Sequence, residues 1–157
     1  LGSADIIIID TGAGITNNVL QFVAAADEVY VVTTPEPTSI TDAYGIIKII
    51  ATEMLDNRPN LKLLVNRAHS ASEGKRVAER IITIVGQFLN YQIDYLGFIY
   101  DDPAVSSSVL RQKPFLISQP NAKCSMCIKH IVGRIEKTKL DTEEGFARFF
   151  RKIRRKW

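Results

Sequence analysis

Short apolar runs alternate along this chain with longer stretches in which apolar residues recur every three or four positions. The first run, Ile6 to Ile9, is β-branched at every position and has no polar face. A strand of that kind suits a parallel sheet covered by helices on both sides. Further strands are expected over 28–33, 61–66 and 93–100. Helices are expected over 15–26, from Thr38 or Ser39 to about Leu55, from Ser70 or Ser72 to about Asn90, over 104–113 and over 121–139. Ser39 and Asp42 have capping-box spacing, and 114–117 reads as extended. Pro35 and Pro37 stop the second strand, and Gly97 inside the fourth marks a bulge or a close approach. The fold class is therefore α/β, an open, mostly parallel sheet with helices on both faces.

The 157 residues are enough for one domain with a buried core. No apolar run is long enough to span a bilayer. Two cysteines give no disulfide framework, so a reducing, cytosolic compartment is expected. Net charge is +3, but six basic and no acidic residues lie between Phe146 and Trp157, so residues 1–145 carry −3. A nucleic-acid-binding face on the body is not expected from that balance.

In open parallel sheets ligands bind at the carboxyl ends of the strands. Asp10-Thr11-Gly12-Ala13-Gly14 occupies the end of the first run. A carboxylate there can serve Mg²⁺, and glycines let backbone approach a phosphate; a helix cap followed by a turn is the plainer alternative. The second strand leads into Thr33-Thr34-Pro35-Glu36-Pro37-Thr38-Ser39-Ile40-Thr41-Asp42-Ala43-Tyr44. Asn66 and Arg67 end the third, and Asp101, Asp102 and Pro103 follow the fourth.

Together, Asp5 through Ile15 and Thr33 through Tyr44 resemble the second half of MinD/ParA-type P-loop ATPases. The Thr-Pro-Glu-Pro-Thr-Ser-Ile-Thr-Asp-Ala string is similar to the flagellar-number regulator branch (FlhG) in particular. The resemblance continues through Leu64-Val65-Asn66-Arg67 and 97–103 and covers essentially the whole chain. It implies a switch-II role for Asp10, which would hold Mg²⁺ through water and help order the attacking water. Gly12 and Gly14 match the turn that senses the γ-phosphate. Asn66 matches the asparagine that pairs with adenine, beside Arg67, and Asp101, Asp102 and Pro103 match backbone wrapped around the base. The implied cofactors are ATP and Mg²⁺, and the implied partners are a second copy in an ATP-dependent dimer, a flagellar GTPase and switch-complex proteins. The family's P-loop, Lys-Gly-Gly-x-Gly-Lys-Thr, does not occur in these residues. That half is expected upstream in a longer parent, as the start at Leu1 instead of Met, almost directly inside a strand, also suggests. The residues given should then not hydrolyse ATP alone.

Residues 141–157 are expected to form a separate amphipathic helix after an α/β body of residues 1–140. Phe146, Phe149, Phe150, Ile153 and Trp157 fall on one stripe, with Arg151, Lys152, Arg154 and Arg155 among the basic residues opposite. That pattern suits an anionic membrane surface, and the resemblance likewise implies a membrane-targeting helix and a place on the cytoplasmic side of the plasma membrane. An ordinary terminal helix packed on the body is the alternative. Cys124 and Cys127 form a CxxC, readable as half of an iron–sulfur or metal site shared with a second subunit, or as two small buried residues. Beside the ATP-dependent switch stand two other functional readings: a non-catalytic membrane-binding module and an iron–sulfur carrier.

Overall fold

The computed structural model describes residues 4, 6–12, 14–55 and 58–137. Its elements, in chain order, are α1 (Asn17–Ala25), β1 (Glu28–Thr33), α2 (Pro37–Glu53), β2 (Asn60–Ala68), α3 (Ala71–Leu89), β3 (Asp94–Tyr100), α4 (Pro103–Leu110), α5 (Phe115–Ser118) and α6 (Lys123–Lys137). The strands form a parallel sheet in the order β1-β2-β3. Helices lie on both faces. A Cβ on Gly74 of α3 would stand 2.8 Å from Phe98, whereas one on Gly97 would stand 3.4 Å from Ile131 of α6. Neighbouring strand residues point to opposite sides, so α3 and α6 flank the sheet.

The core lies between the sheet and α2 and α3. Leu61, Leu63 and Val65 from β2 meet Ile47 and Ile50 from α2 and Ile81 and Val85 from α3. Each is at most 2% exposed, and each such burial is worth about 1.5–3 kcal/mol. At the amino ends of the strands, Lys62 forms a 2.7 Å ion pair with Glu28, which also accepts the Tyr30 hydroxyl at 2.7 Å. This pair is nearly buried, and its hydrogen bonds offset the cost of removing both charges from water.

Three local expectations are corrected. Residues 6–10 are not a strand. Ile6, Ile7, Ile8 and Ile9 are 53%, 53%, 84% and 39% exposed, and among the described residues no strand pairs with them. An apolar run becomes a strand only where a neighbour completes its backbone hydrogen bonds. Helix α2 starts at Pro37, ahead of Thr38 and Ser39, because proline's fixed φ suits a first helical position. Ser39 does not cap: its Oγ accepts the Thr34 N–H at 2.9 Å and lies 3.1 Å from the Thr33 hydroxyl, stitching the β1–α2 turn. Finally, 115–118 is a helical turn, closed by Ile117 and Ser118 amides donating to the Pro114 carbonyl.

The remaining elements follow their sequence signals. Ser70 caps α3 by accepting the Glu73 N–H at 3.1 Å, Glu73 accepts the His69 N–H at 2.7 Å, and Asn90 closes the helix in the left-handed region. Gly97, at φ +149°, sits beside a shift in the β2–β3 register and packs closely under Ile131, so both readings of that glycine hold. The amphipathic helix expected over 141–157 lies outside the described residues.

Candidate functional site

The loops after all three strands converge at one end of the sheet. They border an open cavity of about 280 Å³ lined by Thr34, Pro35, Glu36, Pro37, Arg67, His69 and Asp101. The cavity owes its shape to a local irregularity. The β2–β3 register breaks between Val65 and Ala68, and Arg67 within that break is left-handed, with φ +56°. That conformation is uncommon for a non-glycine residue, and Asn90 and Gln112 share it among the described residues. The Asn66 side-chain oxygen accepts the Arg67 N–H at 2.9 Å and supports the turn.

Arg67 lies between two carboxylates. Its guanidinium is 3.3 Å from Glu36 and 3.9 Å from Asp101, bridging the loops on either side. All three side chains are 42–60% exposed. Exposed pairs of this kind hold geometry weakly and exchange partners readily. The Asp101 N–H donates to the Ala68 carbonyl at 3.0 Å, which carries the backbone of β3 into the loop beside β2.

Asp102 turns away from the cavity. One carboxylate oxygen accepts the Ala104 N–H at 2.9 Å and the other accepts the Cys124 N–H at 3.2 Å. These amide bonds, led by that of Ala104, hold the Asp102 carboxyl below its ordinary value of 3.8. Pro103 opens α4 as its first residue. Cys124 and Cys127 are free and buried on α6, and burial pushes the Cys124 thiol up. Among the described residues no group of three or more His, Cys, Asp or Glu side chains could hold a metal ion.

The structure thus brings Arg67 and Asp101 together on the cavity wall, with Asn66, Asp102 and Pro103 next to them in the same loops. Asp10, Gly12 and Gly14 are exposed and do not line the cavity. Gly14 is left-handed at φ +97°, a turn conformation that glycine adopts freely. Glu36 lies within the stretch already marked after the second strand, whereas His69 lines the cavity without having been singled out in the sequence. Both lie at strand ends, which was the available signal.

An open parallel sheet with helices on both faces and a cavity over its carboxyl ends is the α/β arrangement that P-loop NTPases share. The chain is a MinD/ParA-type relative of the flagellar-number regulators. It is 33% identical to the antiactivator FleN of Pseudomonas aeruginosa over 147 residues, 93% of this chain and 52% of that protein. It is 34% identical to the flagellum site-determining protein YlxH of Helicobacter pylori over 98% of this chain and 53% of that protein. Identity to the septum site-determining protein MinD of Bacillus subtilis is 33%, over 83% of this chain and 47% of that protein. The chain therefore spans about half the length of the relatives it matches. No family model matches the sequence.

Proposed function

We propose that this chain works within an ATP-dependent, dimerising switch that sets flagellar number or placement. The observation that carries the reading is the cavity at the strand ends, walled by Arg67 and Asp101 in a chain similar to FleN and YlxH along nearly its whole length. The cavity suits one end of a nucleotide. Two carboxylates and one guanidinium line it, a balance that favours the donors of a base and sugar and opposes a triphosphate. Asn66, next to the lining residues, keeps its NH₂ and the second lone pair of its oxygen for an adenine edge, and the Asp101–Pro103 backbone borders the base in this reading. Asp10, through water on Mg²⁺, and the Gly12–Gly14 turn serve the phosphate end.

Phosphoryl transfer relies on positioning and on charge neutralisation by P-loop amides, a lysine and Mg²⁺. This sequence holds no such loop, so we assign that part to another segment of the parent protein. The bare Ile6–Ile9 run and the edge of β1, with Val32 55% exposed, are where an added strand has apolar surface to cover. Intact mass of the protein in its source cells tests this first. A mass well above 17.6 kDa, with Mg-dependent ATP hydrolysis in the whole protein and none in these residues alone, is the expected result. A mass near 17.6 kDa removes the enzyme reading and leaves an interaction module.

Residues 141–157 supply the membrane contact in this reading, through Phe146, Phe149, Phe150, Ile153 and Trp157 against acyl chains and the basic residues against anionic headgroups. Among the described residues no helix is long and apolar enough to cross a membrane. Charge reversal at Arg151, Lys152, Arg154 and Arg155 should abolish sedimentation with anionic vesicles. Sedimentation at the wild-type level would remove the membrane contact from the proposal. The switch's partners, a flagellar GTPase and switch-complex proteins, are proposed on the similarity to FleN and YlxH. An iron–sulfur role for the CxxC finds little support in cysteines that are 0% and 8% exposed on a packed helix.

A further inference from the structure

Asp102 stands at the head of α4, yet half of its bonding belongs to α6. Its two carboxylate oxygens are divided between the Ala104 amide and the Cys124 amide, 22 residues further along. Amides at a helix N-terminus have no partner within the helix, and an ionised carboxylate is their strongest acceptor. One side chain therefore satisfies two helices at once. Asp101 and Pro103, on either side, are also fixed. The first is tied to Ala68 by its backbone and faces Arg67; the second is the opening residue of α4. Further down α6, Arg134 donates to the Leu96 carbonyl at 2.8 Å, and Ile131 packs on Gly97. The buried Cys124 thiol, pushed up chiefly by that burial, also interacts with the Asp102 carboxylate and adds to the α6 side of its bonding.

We propose that Asp102 is a positioning residue that joins the β3–α4 loop and the N-terminus of α6 into one unit, so that loop and helix tighten or loosen together. The consequence for ligands rests on the nucleotide reading of the cavity. A ligand that grips the loop then also secures α6, and by reciprocity a loosened α6 weakens the ligand.

Residue-resolved hydrogen exchange on this chain tests the joining without any ligand. In wild type, the Ala104 and Cys124 amides should share one opening equilibrium. Asp102→Asn keeps one acceptor oxygen and turns an NH₂ toward the other helix, so the two amides should separate by about tenfold, the scale of a lost cap. Unchanged exchange at Leu63 and Ile81 shows that the fold is retained. Independent opening of the two amides in wild type overturns the proposal, as does an Asp102→Asn variant in which they still open together. MgADP added to the whole protein from its source cells gives the second arm. It should slow exchange at both amides in wild type and at Ala104 alone in Asp102→Asn. If MgADP protects neither amide in wild type while the two still open together, the nucleotide reading fails and the joining stands. If MgADP protects Ala104 and never Cys124, the joining fails and the nucleotide reading stands.

Discussion

The run Ile6–Ile9 and the run Leu61–Val65 are both dominated by branched aliphatic residues, yet their surroundings are opposite. Leu61, Leu63 and Val65 are 0% exposed, while Ile8 is 84% exposed. Strand β2 has a hydrogen-bonded neighbour on each side and α2 and α3 above it; the first run has no such neighbour among the described residues. Apolar side chains alone do not bury a segment. Its backbone must also be satisfied, and water does this more cheaply than an unpaired position in the interior.

The comparison sets the scale of the largest effect. Leu63→Ala should destabilise the domain by about 2–5 kcal/mol, from lost burial and the cavity it leaves. Ile8→Ala should change stability by less than about 0.5 kcal/mol in the same residues. Denaturant midpoints measure both, and comparable losses would show that the first run is packed in solution. A middle-sized effect separates two glycines of α3. Gly74→Ala places a Cβ 2.8 Å from the Phe98 Cβ and 3.5 Å from that of Ala68, so it should cost about 1–3 kcal/mol. Gly86→Ala meets nothing within 4 Å and should stabilise by up to about 1 kcal/mol through helix propensity alone. A stabilising Gly74→Ala would mean that α3 and β3 stand further apart than described. The smallest effect belongs to the cavity rim. Glu36→Gln should change stability by less than about 1 kcal/mol, and the change should fade with added salt, because its pair with Arg67 is exposed. A larger, salt-independent loss in thermal melts would show that the Arg67 bridge supports the fold.

Much of the fold was legible because period and punctuation carry it. Strand β1 is observed where 28–33 was read, β3 lies within 93–100, and β2 runs slightly past 61–66 to Ala68. Helices α3 and α6 follow their apolar spacing. The misplaced start of α2 came from weighing Ser39 as a cap above Pro37 as a first helical residue; the hydroxyl found partners in the preceding turn instead. Residues 6–10 were misread because periodicity reports which faces are apolar and carries no record of whether a neighbour is present.

The candidate site was half legible. Arg67 and Asp101 were marked by their places at strand ends, and the structure sets them on one wall. The left-handed turn at Arg67 and the bridge to Glu36 depend on a register break between two strands, which no single segment encodes. The second bond of Asp102 reaches an amide 22 residues away, and only the packing of α6 brings it there.

The sheet order also bears on how the chain acquires its shape. Glu28 aligns with Asn60 and Lys62 with Asp94, so each pairing closes a loop of roughly thirty residues, and among the described residues no hairpin offers a local start. Helices α2 and α3 lie between the strands they connect, so strand pairing depends on contacts distant in sequence. Sheets built from such distant pairings fold slowly, and until β2 is in place the unpaired edge of β1 is an aggregation hazard.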